Sequence, residues 1–316
     1  MTRAPLRPLS IGNVVSTGLV LYRSNLKTYF LIALQAYLWI ILPLIILVIA
    51  STIAITATIF RGNGLYLWGF LAIIAFLLLI GGISKYQTNA ALISRLAYQE
   101  LIGQPETVRA ARQHVDPKLW RFWGVSILVG LQLLVIYILA AIALIILAGI
   151  LGFILGIIFR GSAAILIGFL GGAIGFLGIV IILSWYFARW MIAEVPLAVE
   201  KNLTASESIK RSWDLTQNSA LRVQGVALVA FLVTIPITAL TNYAPKILFA
   251  RAIPGSSLFW TGTAISFVFS FIGAILILPL WQTIKSAIYY DLRTRREGLD
   301  IKLRQGRGRN DDNDFI

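Results

Sequence analysis

The chain of 316 residues contains no cysteine. Disulfides, iron–sulfur clusters and thiol nucleophiles are thereby excluded. It has one histidine, His114, in the stretch RAARQHVD beside Asp116. A zinc site would need a second His or Cys, so His114 is expected to be solvated or interfacial, and neither a metal nor any other cofactor is expected. No Walker signature and no strand-linked GxGxxG occurs. Ser206, Ser208 and Ser212 have no neighbouring base, which leaves a hydrolase triad without support. A lipid-modifying enzyme would need acids or His near the interface, and only Glu194, Glu200 and Asp214 qualify. The expectation is a non-enzymatic protein. Charge is scarce as well. Charged residues make up 13% of the chain against 59% hydrophobic ones, about half the charged share of a soluble domain. Too few polar side chains remain to coat a water-soluble globule, so the class implied is an integral membrane protein.

What is present is organised by charge-free runs: Thr28–Phe60, Gly62–Ser84, Phe122–Phe159, Gly161–Ala188, Val223–Pro245 and Ala252–Ile284. Each exceeds the ~20 apolar residues that cross the hydrocarbon core as a helix. None shows the alternation of a membrane barrel, and lipid offers backbone amides no partner, so helices are required. The expected fold is all-α and polytopic. An N-terminal interfacial helix occupies 1–27. A six-helix transmembrane domain occupies 28–290, with spans at about 28–60, 62–84, 122–159, 161–188, 223–245 and 258–284. A basic then acidic cytoplasmic tail covers 291–316, and its end, QGRGRNDDNDFI, has a disordered composition. Phe122–Ala188 could instead hold three short spans, but that would throw Arg189–Arg222, with five bases and four acids, to the opposite side and break the charge pattern. No cleavable leader is expected, because the first apolar run is far longer than a signal core and lacks a small-residue cleavage site.

The net charge of +14 has a topological meaning. Met1–Lys27, Lys85–Arg121, Arg189–Arg222 and Lys285–Ile316 hold 23 of the 27 Lys and Arg and all thirteen Asp and Glu. The other side has Arg61, Arg160, Lys246 and Arg251. The positive-inside rule makes both termini cytoplasmic. YYDLRTRREGLD, 289–300, then becomes the exit of the last span, with Tyr289 and Tyr290 near the headgroups. Because the bases flank apolar runs and are not interleaved with stacking aromatics on a soluble face, no nucleic-acid partner is expected.

Pro43, Pro236 and Pro279 fall inside apolar runs and are expected to kink their helices. No carboxylate, Lys or His lies deep in a span, which argues against a proton-driven carrier. Glycines recur at helical spacing: Gly149, Gly152 and Gly156, then Gly168, Gly171, Gly172, Gly175 and Gly178. The favoured reading is a hairpin packed within one subunit; self-association through these glycine faces is the alternative.

The segments between spans repeat. Residues 10–34 align with 204–228 without a gap. Each opens on a candidate N-cap, Ser10 or Thr204, and Thr204 is followed by Glu207 at the spacing of a capping box. Ile11, Val14, Val15, Leu19 and Tyr22 form one apolar stripe; Ile209, Trp213 and Thr216 form a poorer one. The segment PETVRAARQHVDPKLWRFWGV is similar but broken by Pro117. Ser84, Tyr86 and Glu100 correspond to Ser184, Tyr186 and Glu200. Three units are implied, each an amphipathic cytoplasmic helix followed by a transmembrane hairpin, with the helices lying in the interface.

RPLSIGNVVSTGLVLYRSNLKTYFLIAL, AEVPLAVEKNLTASESIKRSWDLT and IYYDLRTRREGLD resemble the membrane domain attached to some bacterial glycerophosphodiester phosphodiesterases, over nearly the whole chain. That domain also occurs alone. The catalytic half of those enzymes, with its paired histidines and carboxylates, has no counterpart here. The resemblance implies a multi-pass protein of a bacterial plasma (inner) membrane, or of a thylakoid membrane should the source be cyanobacterial. Membrane lipids and protein partners are then the expected partners. Lys210, Arg211, Trp213, Tyr289, Tyr290, Arg293, Arg295 and Arg296 are the candidates to meet headgroups or partners; Gly152, Gly156, Gly168, Gly172 and Gly175 are the candidates for helix packing. A transporter, channel or lipid-translocating protein is the competing function, resting on six spans, kinks and repeats.

Overall fold

The computed structural model describes residues 9–61, 64–158 and 162–299. Residues 1–8, the connections at 62–63 and 159–161 that were expected to be outer turns, and the stretch from Asp300, with the end QGRGRNDDNDFI expected to be disordered, lie outside the described residues.

All regular elements among the described residues are helical, and six helices are long and apolar enough to cross a membrane. The chain is an all-α polytopic membrane protein. The first unit comprises α1 (Ile11–Ser24), α2 (Leu26–Arg61) and α3 (Gly64–Leu101). The second comprises α4 (Val108–Val115), α5 (Leu119–Ile158), α6 (Ser162–Trp190) and the short α7 (Glu194–Val199). The third comprises α8 (Ala205–Thr216), α9 (Ala220–Thr238), α10 (Ala244–Leu248) and α11 (Ser257–Glu297). A single helix, α5, fills the first half of Phe122–Ala188, so three short spans are not formed there. Pro43, Pro236 and Pro279 all lie inside helices. Pro236 is followed by one wide turn, Ala239–Tyr243, before α10.

Local chemistry explains why the units begin and end where they do. Ser10, Thr107 and Thr204 each adopt an extended conformation and accept a hydrogen bond from the backbone N–H three residues on, at Asn13, Ala110 and Glu207. Thr204 and Glu207 complete the reciprocal box, Glu207 Oε2 taking the Thr204 N–H at 2.8 Å. The gap-free register that pairs Ser10 with Thr204 also pairs Leu26 with Ala220, the first residues of α2 and α9. Pro117 lies in a 3₁₀ turn, Asp116–Lys118, that separates α4 from α5. The units close alike: Gly103, Asn202 and Gly298 have φ of 77°, 59° and 59°, the left-handed conformation that glycine and asparagine tolerate best. A glutamate stands just before each: Glu100, Glu200, Glu297.

The buried core is gathered at one end of the molecule. Helices of 38 to 41 residues, such as α3, α5 and α11, are about 60 Å long, twice the ~30 Å hydrocarbon layer. The surplus of α3 and α11, carrying Leu92, Ile93, Tyr98, Tyr289 and Tyr290, packs with α1, α7 and α8 into a charge-bearing layer. Val14, Val15, Gly18 and Leu21 of α1 are buried against protein. Its expected place with an apolar face in lipid is therefore corrected: α1 is a core element. Away from this layer Ile59, Phe70, Ile145, Phe153, Phe169, Ile174 and Ile247 are exposed, the surface that a bilayer covers.

Close packing of the first hairpin depends on Gly82. A Cβ there would collide with the carbonyl oxygen of Trp39 in α2 and lie 3.1 Å from its carbon. The glycines of α5 and α6 behave differently. Gly175 receives Leu144, but a Cβ on Gly149, Gly152, Gly168, Gly171, Gly172 or Gly178 would meet nothing within 4 Å. The surroundings of Gly156 lie outside the described residues. The expected hairpin packed on these glycines is thus limited to Gly175, because the other described glycines have no neighbouring atom to pack against.

Candidate functional site

The charged layer is built from three connected polar assemblies. The first joins all three units. Tyr289 OH donates to Glu200 Oε1 at 2.5 Å, and Arg211 Nε donates to the same oxygen at 3.1 Å. Arg211 also pairs with Glu297, which accepts from Arg293 Nε at 2.9 Å. Arg293 Nη1 donates to Tyr98 OH at 2.8 Å, and the Tyr98 and Tyr289 rings lie 5.3 Å apart. The chain of contacts closes on itself. Burial opposes the Arg211 charge, but Glu200 and Glu297 outweigh it and hold the guanidinium above its usual pKa.

The second assembly centres on Asp291, whose side chain is 3% exposed. It accepts the Leu9 backbone N–H at 2.7 Å, Arg222 through Nε at 3.1 Å and Nη2 at 3.0 Å, and Arg295 Nε at 3.1 Å. Both arginines also reach the Leu9 carbonyl. One carboxylate and two cations thus clamp both polar atoms of the residue that precedes the α1 cap. The third assembly caps α7. Arg95 Nη1 donates to the Ala198 carbonyl at 3.0 Å, and Lys118 Nζ donates to those of Leu197 at 2.9 Å and Glu200 at 2.7 Å. Cations at a helix C-terminus satisfy carbonyls that have no intrahelical partner. Arg95 also pairs with Glu106: Nη2 donates to Oε2 at 3.3 Å, and Nε lies 2.7 Å from Oε1.

Beside this layer the Arg189 guanidinium stacks over Trp213 at 3.9 Å and Trp185 at 4.8 Å, with Tyr186 and Trp190 completing the aromatic group. Ser212 and Ser208, both fully buried, donate to the Arg189 and Ala193 carbonyls at 2.7 and 2.6 Å. These serines are structural pins between α8 and the end of α6, not interfacial groups. Between α5, α6, α7 and α11 lies a crevice of about 260 Å³, with Lys285 Nζ and Glu194 Oε1 2.6 Å apart at its polar end.

The residues expected to meet headgroups or partners divide sharply. Tyr289 and Tyr290 are 0% exposed, enclosed by protein and not set at a headgroup surface. Arg211, Arg293 and Arg295 are committed to Glu200, Glu297 and Asp291. Trp213 stacks on Arg189. Lys210 and Arg296 are exposed. The structure therefore brings Arg211, Arg293 and Tyr289 into one network and leaves Lys210 and Arg296 on the rim. Composition missed Asp291, Arg222 and Leu9 as a unit, since their partners lie far apart in sequence; the signal was an acid buried in a basic run. His114 contacts Lys118 Nζ at 3.2 Å. Among the described residues no group of three His, Cys, Asp or Glu could hold a metal ion. No protein-family model, curated protein or solved structure matches the chain.

Proposed function

We propose that the chain is a non-enzymatic organiser in a bacterial plasma membrane, with both termini cytoplasmic and its charged layer gathering lipids or partner proteins at that face. The observation that carries this reading is the interlocking of the layer. Arg211, Arg222, Lys285, Arg293 and Arg295 are all neutralised by acids from other elements or the next turn, which makes a rigid base. Arg23, Lys27, Arg109, Lys201, Lys210 and Arg296 remain exposed around it, as a basic rim suited to an anionic leaflet, where each cation contributes about 1 kcal/mol. The asymmetry of Lys and Arg across the spans supports the orientation.

A transport reading is less well supported. Tyr29, Ile32, Ala33, Ala36, Ala90, Ile275 and Leu278 fill the contact of α2, α3 and α11 with apolar atoms, where a polar passage would be needed. The test reconstitutes the full chain in vesicles of phosphatidylcholine with 20–30% phosphatidylglycerol, roughly the anionic content that gives a substantial surface potential. Anionic lipid should be enriched around the protein, and the double substitution Lys210→Gln with Arg296→Gln should reduce that enrichment. Lipid indifference, or solute flux that the protein accelerates, would overturn the reading.

A further inference from the structure

The crevice beside α5 is used by none of the three polar assemblies. Val125, Val129, Leu133, Phe187 and Met191 line it, with the Ser126 hydroxyl, which is hydrogen-bonded to Gln87, the polar group on α5. From Val125 to Leu133 it runs about 12 Å along α5. Its volume, about 260 Å³, holds roughly nine water-sized groups, enough for a stretch of acyl chain. Gly130 and Phe187 on its rim are exposed, and a Cβ on Gly130 would meet nothing within 4 Å. The neighbouring exposed side chains, Ile127, Leu131 and Leu134, are apolar, so the mouth faces lipid.

The polar end is unusual for such a place. Lys285 and Glu194 are each 19% exposed and hydrogen-bond to one another, and Glu194 also interacts electrostatically with Tyr86. An ammonium has three donors and a carboxylate about four acceptor sites. A half-buried pair is costly unless that remaining capacity is filled. Here it faces the crevice. An anionic group approaching Lys285 would meet Glu194 beside it. A group carrying both charges would satisfy both.

We propose that the crevice is a binding site for a zwitterionic aminophospholipid, its phosphate at Lys285, its ammonium at Glu194 and one acyl chain along Val125–Leu133. This goes beyond the organising role above, and it would stand if the basic rim proved indifferent to lipid.

The test uses the full chain in nanodiscs carrying either phosphatidylethanolamine or phosphatidylglycerol with a photoreactive acyl chain, followed by peptide mapping. The phosphatidylethanolamine probe should mark 125–133 and 187–191 about tenfold more than the phosphatidylglycerol probe at equal mole fraction. The two should mark the lipid-exposed stretch 42–49 of α2 equally. Gly130→Trp, which places a large side chain at the crevice mouth where a Cβ meets nothing within 4 Å, should abolish the preference at α5 and leave α2 labelling unchanged. The double variant Glu194→Gln with Lys285→Gln should keep acyl labelling but lose the discrimination. Should that variant fail to fold, Gly130→Trp decides alone. Equal labelling by the two probes in the unaltered protein, or a preference that survives Gly130→Trp, would overturn the proposal. Anionic enrichment at Lys210 and Arg296 is a separate readout, so either idea can fail without the other.

Discussion

Replacing Asp291 with asparagine should release the segment that precedes α1. The carboxylate holds the Leu9 N–H, Nε and Nη2 of Arg222 and Nε of Arg295. Asparagine keeps one acceptor oxygen and turns its amide donors towards guanidinium donors. Removing one partner of a buried ion pair costs about 3–5 kcal/mol. Arg222 and Arg295 are 24% and 36% exposed, so water recovers part of the loss, and the lower figure, about 3 kcal/mol, is expected. Leu9 and α1 are attached to the rest of the layer mainly through this clamp and the burial of Val14, Val15, Gly18 and Leu21. The cost should appear as local opening, with the open population rising about 100-fold. Trypsin cleavage at Arg23, which is exposed at the end of α1, reads that population in detergent-solubilised protein. Arg222→Gln should give a smaller rise, because Arg295 remains on Asp291. Added salt should not reproduce the effect, since buried pairs are poorly screened. A cleavage rate for Asp291→Asn within about threefold of the unaltered protein would refute the clamp.

Three further outcomes follow from the packing and the caps. Gly82→Ala should destabilise the first hairpin by about 1–3 kcal/mol, because its methyl meets the Trp39 backbone. Gly175→Ala should cost much less, since the obstruction is the end of the Leu144 side chain; thermal unfolding of the two variants gives the comparison. Thr204→Ala should weaken α8 by about 1 kcal/mol, measured as faster amide exchange over 205–210. The Thr204 backbone N–H and hydroxyl hold the Glu207 carboxyl below its usual pKa. Its capping contribution is therefore fully present above the ordinary glutamate value of about 4.3 and is lost as pH falls through the lower folded value. Finally, Gly152→Cys introduces the sole thiol into a chain that has none. A disulfide-linked dimer formed in membranes would place a second copy on the open glycine face, and a protein that stays single would remove that partner.

The spans were legible because charge cannot be hidden in hydrocarbon: uninterrupted apolar runs bounded by Lys and Arg marked all six. Two helix starts were legible too, since Ser10 and Thr204 must supply an acceptor where a helix begins. What the sequence concealed was which apolar surfaces meet protein and which meet lipid. Hydropathy assigns Gly82 and Gly152 to the same class, yet one touches a neighbouring backbone and the other touches nothing. Lipid tails are as apolar as leucine, so composition carries no record of the difference. Tyr289 and Tyr290 suggested an interfacial belt for the same reason. Their burial depends on α1 and α3, whose approach to α11 no local pattern encodes. Ser208 and Ser212 spoiled the apolar stripe of α8 because carbonyls of the α6 end and the turn after it satisfy them, and such partners are invisible in one dimension.

The meeting of Leu9 with Asp291 sets an order of events during synthesis. Each hairpin can enter the bilayer as soon as it is made, but the opening segment has no resting place until nearly the last described helix has emerged. A chain that ended just short of residue 291 would have nearly all of α11 and no latch. Only a polypeptide translated through residue 291 of α11 can fasten Leu9.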